Sequence, residues 1–287
     1  MTLVDDQDWP RRVAILGVGL LGGSVALSIR RFRPESTFVG LARSDAKGEQ
    51  LRRLGVVDEV AQSVADACVR CDVVVVAAPV DRIAALVSQA ADETPDGCLI
   101  TDVGSTKAGI VESVASSPAA RNKFVAAHPI AGSEKSGPQH AVETLFDGKL
   151  VVLTPDACTD RRLVEKADRF WRLTGGSTLE MGPDVHDTHL AAISHVPHLV
   201  SALVARMDHP EARPLVGSGW MDITRVAAGD PTMWTAICGE NRGAIRKELA
   251  RFADELAKLR AILEVNDEEA LRAWLTEAQQ IKQQPPK

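Results

Sequence analysis

His128 opens the run His-Pro-Ile-Ala-Gly-Ser-Glu-Lys-Ser-Gly, which ends at Gly137. Residues 124–127 ahead of it, Phe-Val-Ala-Ala, read as a short buried strand, and Pro129 and Gly132 stop any regular element from continuing. An imidazole is thus held at a strand end, ahead of a loop carrying the hydroxyl, carboxylate and ammonium groups of Ser133, Glu134 and Lys135. Imidazole exchanges protons near neutral pH, so the position suits acid–base work. Two further polar concentrations are Ser194-His-Val-Pro-His198 and Asp222-Ile-Thr-Arg225. The formal charge of the chain is −6, so an anionic ligand needs local cations, and Arg225 is one.

The elements that must position these groups begin with the apolar strand Val13-Ala-Ile-Leu16. Gly17-Val18-Gly19-Leu20-Leu21-Gly22 follows at once, and residues 24–29 read as a helix. In that setting the glycine pattern is a dinucleotide-binding turn: Gly17 makes the turn, Gly19 admits a pyrophosphate to the backbone, and Gly22 lets helix pack on strand. Strand-like runs recur at 37–42, 72–78, 98–102, 124–127 and 150–154, with helical stretches around 49–54, 81–91, 107–115 and 161–174. The alternation predicts an α/β fold with a doubly wound, Rossmann-type parallel sheet over residues 11–181. Ligands of such sheets sit beyond the carboxyl ends of the strands. That rule gathers Gly17–Leu21, Ala42–Ser44, Ala78 and Pro79, Ser105, and His128 onwards.

The end of the second strand bears on which nicotinamide cofactor fits. An acid there holds the ribose 2′-hydroxyl of NAD, whereas cationic and hydroxyl groups suit the 2′-phosphate of NADP. Ala42 stands where the acid would be, and Arg43 and Ser44 can meet a phosphate, so NADP is favoured. NAD is the alternative, because a shift of one residue brings Asp45 within reach.

Beyond about Met181 the β-type pattern stops, and residues 182–287 read as an all-α domain. A helix started by Pro183 runs to Arg206 across the costly Pro197, with Ser194, His198 and Ser201 on a polar face and Ile193, Val200 and Val204 on the apolar one. His186-x-x-His189 and His195-x-x-His198 have metal-ligand spacing, but no carboxylate or cysteine completes a compact set, and no metal is expected. Asp230-Pro231 caps a helix whose Ile245, Leu249, Phe252, Leu256, Leu259 and Leu263 form a long apolar seam. Such a seam calls for a partner chain, so a homodimer through the helical domain is expected. A last helix starts near Asn266, and residues 283–287 form a loose tail.

Composition excludes several classes. Hydrophobic residues make up 45% and charged residues 25%, as in ordinary globular proteins. The net acidity argues against nucleic acid, and no apolar stretch is read as a membrane span. Residues 1–12 carry acids where a signal peptide needs bases, so a cytoplasmic location is expected. Five cysteines without secretion signals predict free thiols, and Cys68-x-x-Cys71 reads as core packing.

The chain resembles the prephenate/arogenate dehydrogenase family of tyrosine biosynthesis. The resemblance rests on Gly17–Ser24, Asp102-Val-Gly-Ser105-Thr-Lys107, the His128 run, Ser194–His198, and Asp222-Ile-Thr-Arg225 through Trp234, in family order along nearly the whole chain. Position 103 is Val where a glutamine is common, and Ala42 replaces a frequent acid. The family implies oxidative decarboxylation of a cyclohexadienol, prephenate or arogenate, by a nicotinamide cofactor. It implies His128 as acceptor of the C4 hydroxyl proton, with Ser105 aligning both groups. Arg225 is implied for a substrate carboxylate, His198 as a further polar contact, and Ser133 and Glu134 as a loop over the site. Two other readings compete. An NADP-linked β-hydroxyacid-type dehydrogenase would place a lysine in the long helix, where this chain has histidines. A non-catalytic dimeric nucleotide sensor would need none of His128, Ser105 and Arg225.

Overall fold

The computed structural model describes residues 9–42, 44–132 and 135–284. Arg43, Ser133, Glu134 and the end of the C-terminal tail lie outside the described residues. The chain alternates through β1 (Arg12–Leu16), α1 (Leu20–Phe32), β2 (Thr37–Leu41), α2 (Asp45–Arg53), β3 (Glu59–Ala61), α3 (Val64–Cys68) and β4 (Val73–Val76). It continues through α4 (Val80–Glu93), β5 (Leu99–Asp102), α5 (Ala108–Ala115), α6 (Pro118–Arg121) and β6 (Phe124–Val125). The six strands pair in parallel in the order β3-β2-β1-β4-β5-β6. All four valines of β4 are buried, because a parallel sheet is covered by helices on both faces. The expected doubly wound sheet is therefore present. The edge strand β3, Glu-Val-Ala, escapes sequence reading because it is short and half-exposed.

The strand expected over 124–127 divides. β6 closes the parallel sheet, and β7 (Ala127–Pro129) opens a second sheet with β8 (Leu150–Leu153), α7 (Arg161–Arg172) and β9 (Ser177–Glu180) following. β7 runs antiparallel to β8, with His128 opposite Val152, while β8 and β9 are parallel. Two expectations are corrected. Residues 150–154 do not extend the parallel sheet, and His128 lies inside a strand rather than beyond its end. β8 can build a new sheet because α7 covers it with Phe170 and Trp171, and the Trp171 indole N–H donates to Thr101 Oγ1 of β5 at 3.1 Å.

A buried charge joins the two sheets. Lys107, immediately before α5, has no exposed side-chain surface; its ammonium is bonded to Asp102 Oδ2 and donates to the Ala127 carbonyl at 2.9 Å. Asp102 also accepts from Gly104 N at 2.8 Å and Ala127 N at 3.0 Å. The end of β5, the start of α5 and the start of β7 are fixed together by one ion pair.

The helix expected from Pro183 to Arg206 is interrupted. α8 (Pro183–Leu190) passes into a π-helical turn, Ala191–His195, before α9 (Val196–Arg206). Val196 N bonds back to Ala191 O, so the widened turn absorbs the hydrogen-bond defect that Pro197 creates. The polar stripe turns inward. His186, His195, His198 and Ser201 are buried, and Ile193 is 74% exposed. The run also has the length and mean hydropathy (1.2) of a membrane span, contrary to the sequence reading, but its buried polar side chains face protein. After α10 (Ser218–Thr224) and a 3₁₀ turn at Arg225–Ala228, α11 (Pro231–Glu240) is capped by Asp230 Oδ1, which accepts from Thr232 N at 2.7 Å.

Residues up to Asn241 form one compact unit and those from Arg242 another, and among the described residues no strand follows Glu180. The second unit holds α12 (Arg242–Glu264) and α13 (Glu268–Gln283), the latter capped by Asp267. Leu249, Phe252, Leu256 and Leu263 of the seam are all exposed. All five thiols are free, and burial pushes Cys68 and Cys98 up to about 12 and Cys71 up to about 11, so these three are packing groups.

Removing one partner of a buried pair leaves the other charge uncompensated. Lys107→Met should therefore lower unfolding free energy by ~3–5 kcal/mol in urea titrations, with part recovered by adding Asp102→Asn. A loss under ~1 kcal/mol would show that the two amides bonded to Asp102 suffice without the ammonium.

Candidate functional site

The turn after β1 is built to receive a phosphate group. Gly17 has φ +107°, and a Cβ there would stand 2.2 Å from the Ala77 carbonyl oxygen. A Cβ on Gly22 would meet Gly17 O at 2.3 Å, so helix α1 can approach β1 only with glycine. A Cβ on Gly19 would meet nothing within 4 Å: the backbone faces open space. Gly19 caps α1 without a side chain, and the first turn has no acid, which leaves amide N–H groups and the positive end of the helix dipole for an anion. Val18 is buried beneath the turn, and Leu20 and Leu21 start the helix. These residues fit a dinucleotide pyrophosphate.

Ala42 ends β2, buried, with its N–H bonded to Ala61 O at 3.0 Å. Ser44 caps α2 by accepting from Lys47 N at 3.4 Å, and Asp45 Oδ1 accepts from Gln62 Nε2 at 2.8 Å. Ala78 and Pro79 lead from β4 into α4 beside Gly17. Ser105, half-buried, lies in the loop between Asp102 and Lys107 that the buried ion pair clamps. The same Lys107 ammonium holds Ala127 O, so the Ser105 loop and the strand carrying His128 share one anchor.

His128 is half-buried on β7, and its Nδ1 lies 2.9 Å from His186 Nε2. His186 is fully buried, with its Nδ1 2.7 Å from Asp187 Oδ1. Asp187 accepts in turn from Lys107 N at 2.8 Å and Ala108 N at 2.9 Å, at the start of α5. Asn241 Nδ2 donates to Asp187 O at 2.7 Å and meets His195 Nδ1 at 3.1 Å. Desolvation, then the proximity of His186, Lys107 and His195, holds the His128 imidazole well below the usual histidine range. Burial likewise takes His195 down to about 4 and lowers His198. His128 is thus a neutral ring at pH 7, able to accept a proton.

His198 stacks on Trp234, with ring centroids 3.5 Å apart and planes at 12°. A Cβ on Gly229 would stand 2.6 Å from Trp234 Nε1 and 3.0 Å from His198 Cε1, so the chain after the 3₁₀ turn passes closely over the stack. That turn begins with Arg225, which is exposed and makes no ion pair among the described residues. His198 Nδ1, Ser201 Oγ and Thr106 Oγ1 are buried without hydrogen-bond partners among the described residues, as polar groups that serve a ligand are.

The structure thus joins Ser105 and His128 through Lys107, and His198 and Arg225 through α9 and the turn packed on it. Ser133, Glu134 and Arg43 lie outside the described residues. Sequence reasoning missed His186, Asp187 and Asn241 as site residues. His186 was noticed only for its spacing to His189, yet its ring nitrogens face His128 and Asp187 while His189 is exposed.

Comparison with known proteins agrees with this geometry. Residues 25–180 match the family model for the prephenate dehydrogenase nucleotide-binding domain, and residues 182–277 that for the prephenate dehydrogenase dimerization domain. The chain is 33% identical over 277 residues to a prephenate dehydrogenase of Bacillus subtilis, covering 94% of this chain and 75% of that one. It is 29% identical over 279 residues to a cyclohexadienyl dehydrogenase of Zymomonas mobilis, covering 95% of each. Among solved structures, the prephenate dehydrogenase of A. aeolicus in complex with hydroxyphenyl propionate and NAD+ superposes with a TM-score of 0.87 at 31% identity, over 95% of this chain and 97% of that one. By two matched domains that span most of its length, this chain belongs to the prephenate dehydrogenase family.

Proposed function

We propose that this chain catalyses the NAD(P)-dependent oxidative decarboxylation of prephenate to 4-hydroxyphenylpyruvate, or of arogenate to tyrosine. The observation that carries the reading is His128: a neutral imidazole, tied through Lys107 to the Ser105 loop, in a chain that also holds a dinucleotide cradle at Gly17–Gly22. When bound, the nicotinamide accepts the hydride from ring C4 as the ring carboxylate leaves as CO2. His128 takes the C4 hydroxyl proton on the nitrogen turned away from His186, and Ser105 aligns that hydroxyl. Arg225 pairs with a substrate carboxylate, and His198, braced by Trp234, gives a further polar contact. Ser133 and Glu134 are assigned to the loop over the substrate on family resemblance alone. Gly17–Gly22 hold the pyrophosphate, and Ala42, Arg43, Ser44, Ala78 and Pro79 border the adenosine and nicotinamide halves.

Three finer readings belong with this proposal. Residues 11–181 are assigned to cofactor binding and 182–287 to substrate binding and dimerisation. The exposed seam on α12 supports a homodimer, and sedimentation at micromolar concentration should give twice the 30.8 kDa chain mass. A stable monomer would reject it. The third reading is that NADP is preferred. Ala42 offers no acceptor to a ribose hydroxyl, and Asp45 is already engaged by Gln62.

The assay is reduction of NADP or NAD, followed by absorbance, with prephenate or arogenate. Turnover with neither substrate rejects the function. Given turnover, kcat/KM should be higher with NADP, Arg43→Ala should erase most of that margin, and Ala42→Asp with Arg43→Ala should reverse it. A wild-type preference for NAD would reject the reading of the turn at 42–44.

The lowered basicity of His128 fixes a pH dependence. Burial, then the proximity of His186, Lys107 and His195, opposes protonation, so the imidazole stays an acceptor until the pH falls through its depressed pKa. kcat/KM should therefore hold through pH 6.5, the ordinary histidine value, and fall only below it. An acid limb at or above 6.5 would show that His128 is not the group that must be unprotonated.

A further inference from the structure

We infer that His186 and Asp187 are positioning residues that lock His128 in the tautomer with a bare Nε2, the proton-accepting form. Two backbone groups here have fixed hydrogen-bonding roles. The backbone amides of Lys107 and Ala108 can only donate, and each points at one oxygen of Asp187, at 2.8 and 2.9 Å. Two donors at the first turn of α5 keep both Asp187 oxygens as acceptors. His186 Nδ1, 2.7 Å from Oδ1, must then carry the hydrogen. With its Nδ1–H directed at Asp187, His186 turns Nε2 to His128 as the acceptor, and His128 Nδ1 is the donor of the short contact at 2.9 Å. That places the only proton of neutral His128 on Nδ1 and leaves Nε2 as a lone pair.

α8 packs on α5, and Asn241 Nδ2 holds Asp187 O at 2.7 Å, so the carboxylate is fixed from both its backbone and its oxygens. His186 is enclosed and cannot rotate toward water. The His128 and His186 rings meet edge to face at 70°, with centroids 5.1 Å apart, an arrangement compatible with one N–H···N bond between them. The groups facing His128 are His186, Lys107 and His195; the ammonium of Lys107 is committed to Asp102 and Ala127 O, and His195 Nδ1 faces Asn241, so neither competes for His128 Nδ1. When His128 gains a proton on Nε2, its Nδ1–H bond to His186 strengthens and the Asp187 carboxylate lies along the same line. The arrangement follows the logic of a base oriented by a buried acceptor, with one extra imidazole between them.

The inference rests on reading His128 as the base, and the experiment separates the two. In 15N-histidine-labelled protein without ligands, His128 should show a pyrrole-like Nδ1 and a pyridine-like Nε2. Asp187→Leu removes the acceptor that fixes the His186 ring and should release that pattern, lowering kcat by ~10²–10⁴-fold with KM for substrate and cofactor Kd nearly kept. His186→Leu removes the acceptor and should lose activity similarly. His186→Gln, whose carbonyl can accept from Nδ1–H while its amide donates to Asp187, should recover most of that loss. A wild-type spectrum with the proton on Nε2 overturns the inference even if no variant folds. So does Asp187→Leu with wild-type kcat, or His186→Gln no better than His186→Leu. His128→Asn is run alongside. If it keeps normal turnover, the base assignment falls and the inference with it; if it is inactive while the spectrum fails, only the inference falls.

Discussion

Lys107 carries its charge where water cannot reach it, and most of the site depends on how that charge is met. An isolated ammonium in such a place would lose its proton, and burial does lower its pKa. Asp102 and the Ala127 carbonyl compensate it, and each partner belongs to a different element: the end of β5 and the start of β7. The backbone N–H of the same lysine binds Asp187 of α8. One residue therefore ties the parallel sheet, the second sheet and the helical run together at the point where Ser105 and His128 are presented. Replacing the pair with apolar groups could keep the core but not that convergence. Directional partners set angles that packing leaves free.

The parts of the fold legible in the sequence are those whose chemistry is local. Gly17, Gly19 and Gly22 announce a turn because the strand before and the helix after are adjacent in the chain. Asp230-Pro231 announces a cap for the same reason. β9, Ser-Thr-Leu-Glu, carries no such signal, since a mostly exposed strand shows no apolar alternation. Nor does the change of sheet at Ala126, where the direction of hydrogen bonding switches without any change in hydrophobicity.

The helical run is instructive in a different way. Its periodicity separates a polar from an apolar face, and the costly Pro197 beside the polar stripe points that stripe toward a cleft. The inward face carries Ser201 together with His186, His195 and His198, and these three histidines meet His128, Asn241 and Trp234 from distant parts of the sequence. Pro197 signals a defect without saying where it is absorbed; the π turn places it at Ala191–His195, one of the few ways to swing His195 and His198 inward together. The His128–His186 pair was illegible because nothing local links the two positions.

The electrostatics of the site follow from the same arrangement. The His128 imidazole, buried beside His186, Lys107 and His195, is held in its neutral form at neutral pH. A dianionic substrate changes that balance. On the proposed reading its carboxylates would add negative charge at the site and raise the imidazole's basicity. Arg225 is exposed, whereas the Lys107 ammonium is enclosed and committed to Asp102 and the Ala127 carbonyl. The fold thus keeps one cation inside the protein, where it lowers the basicity of His128, and leaves another at the surface, where an anion can reach it.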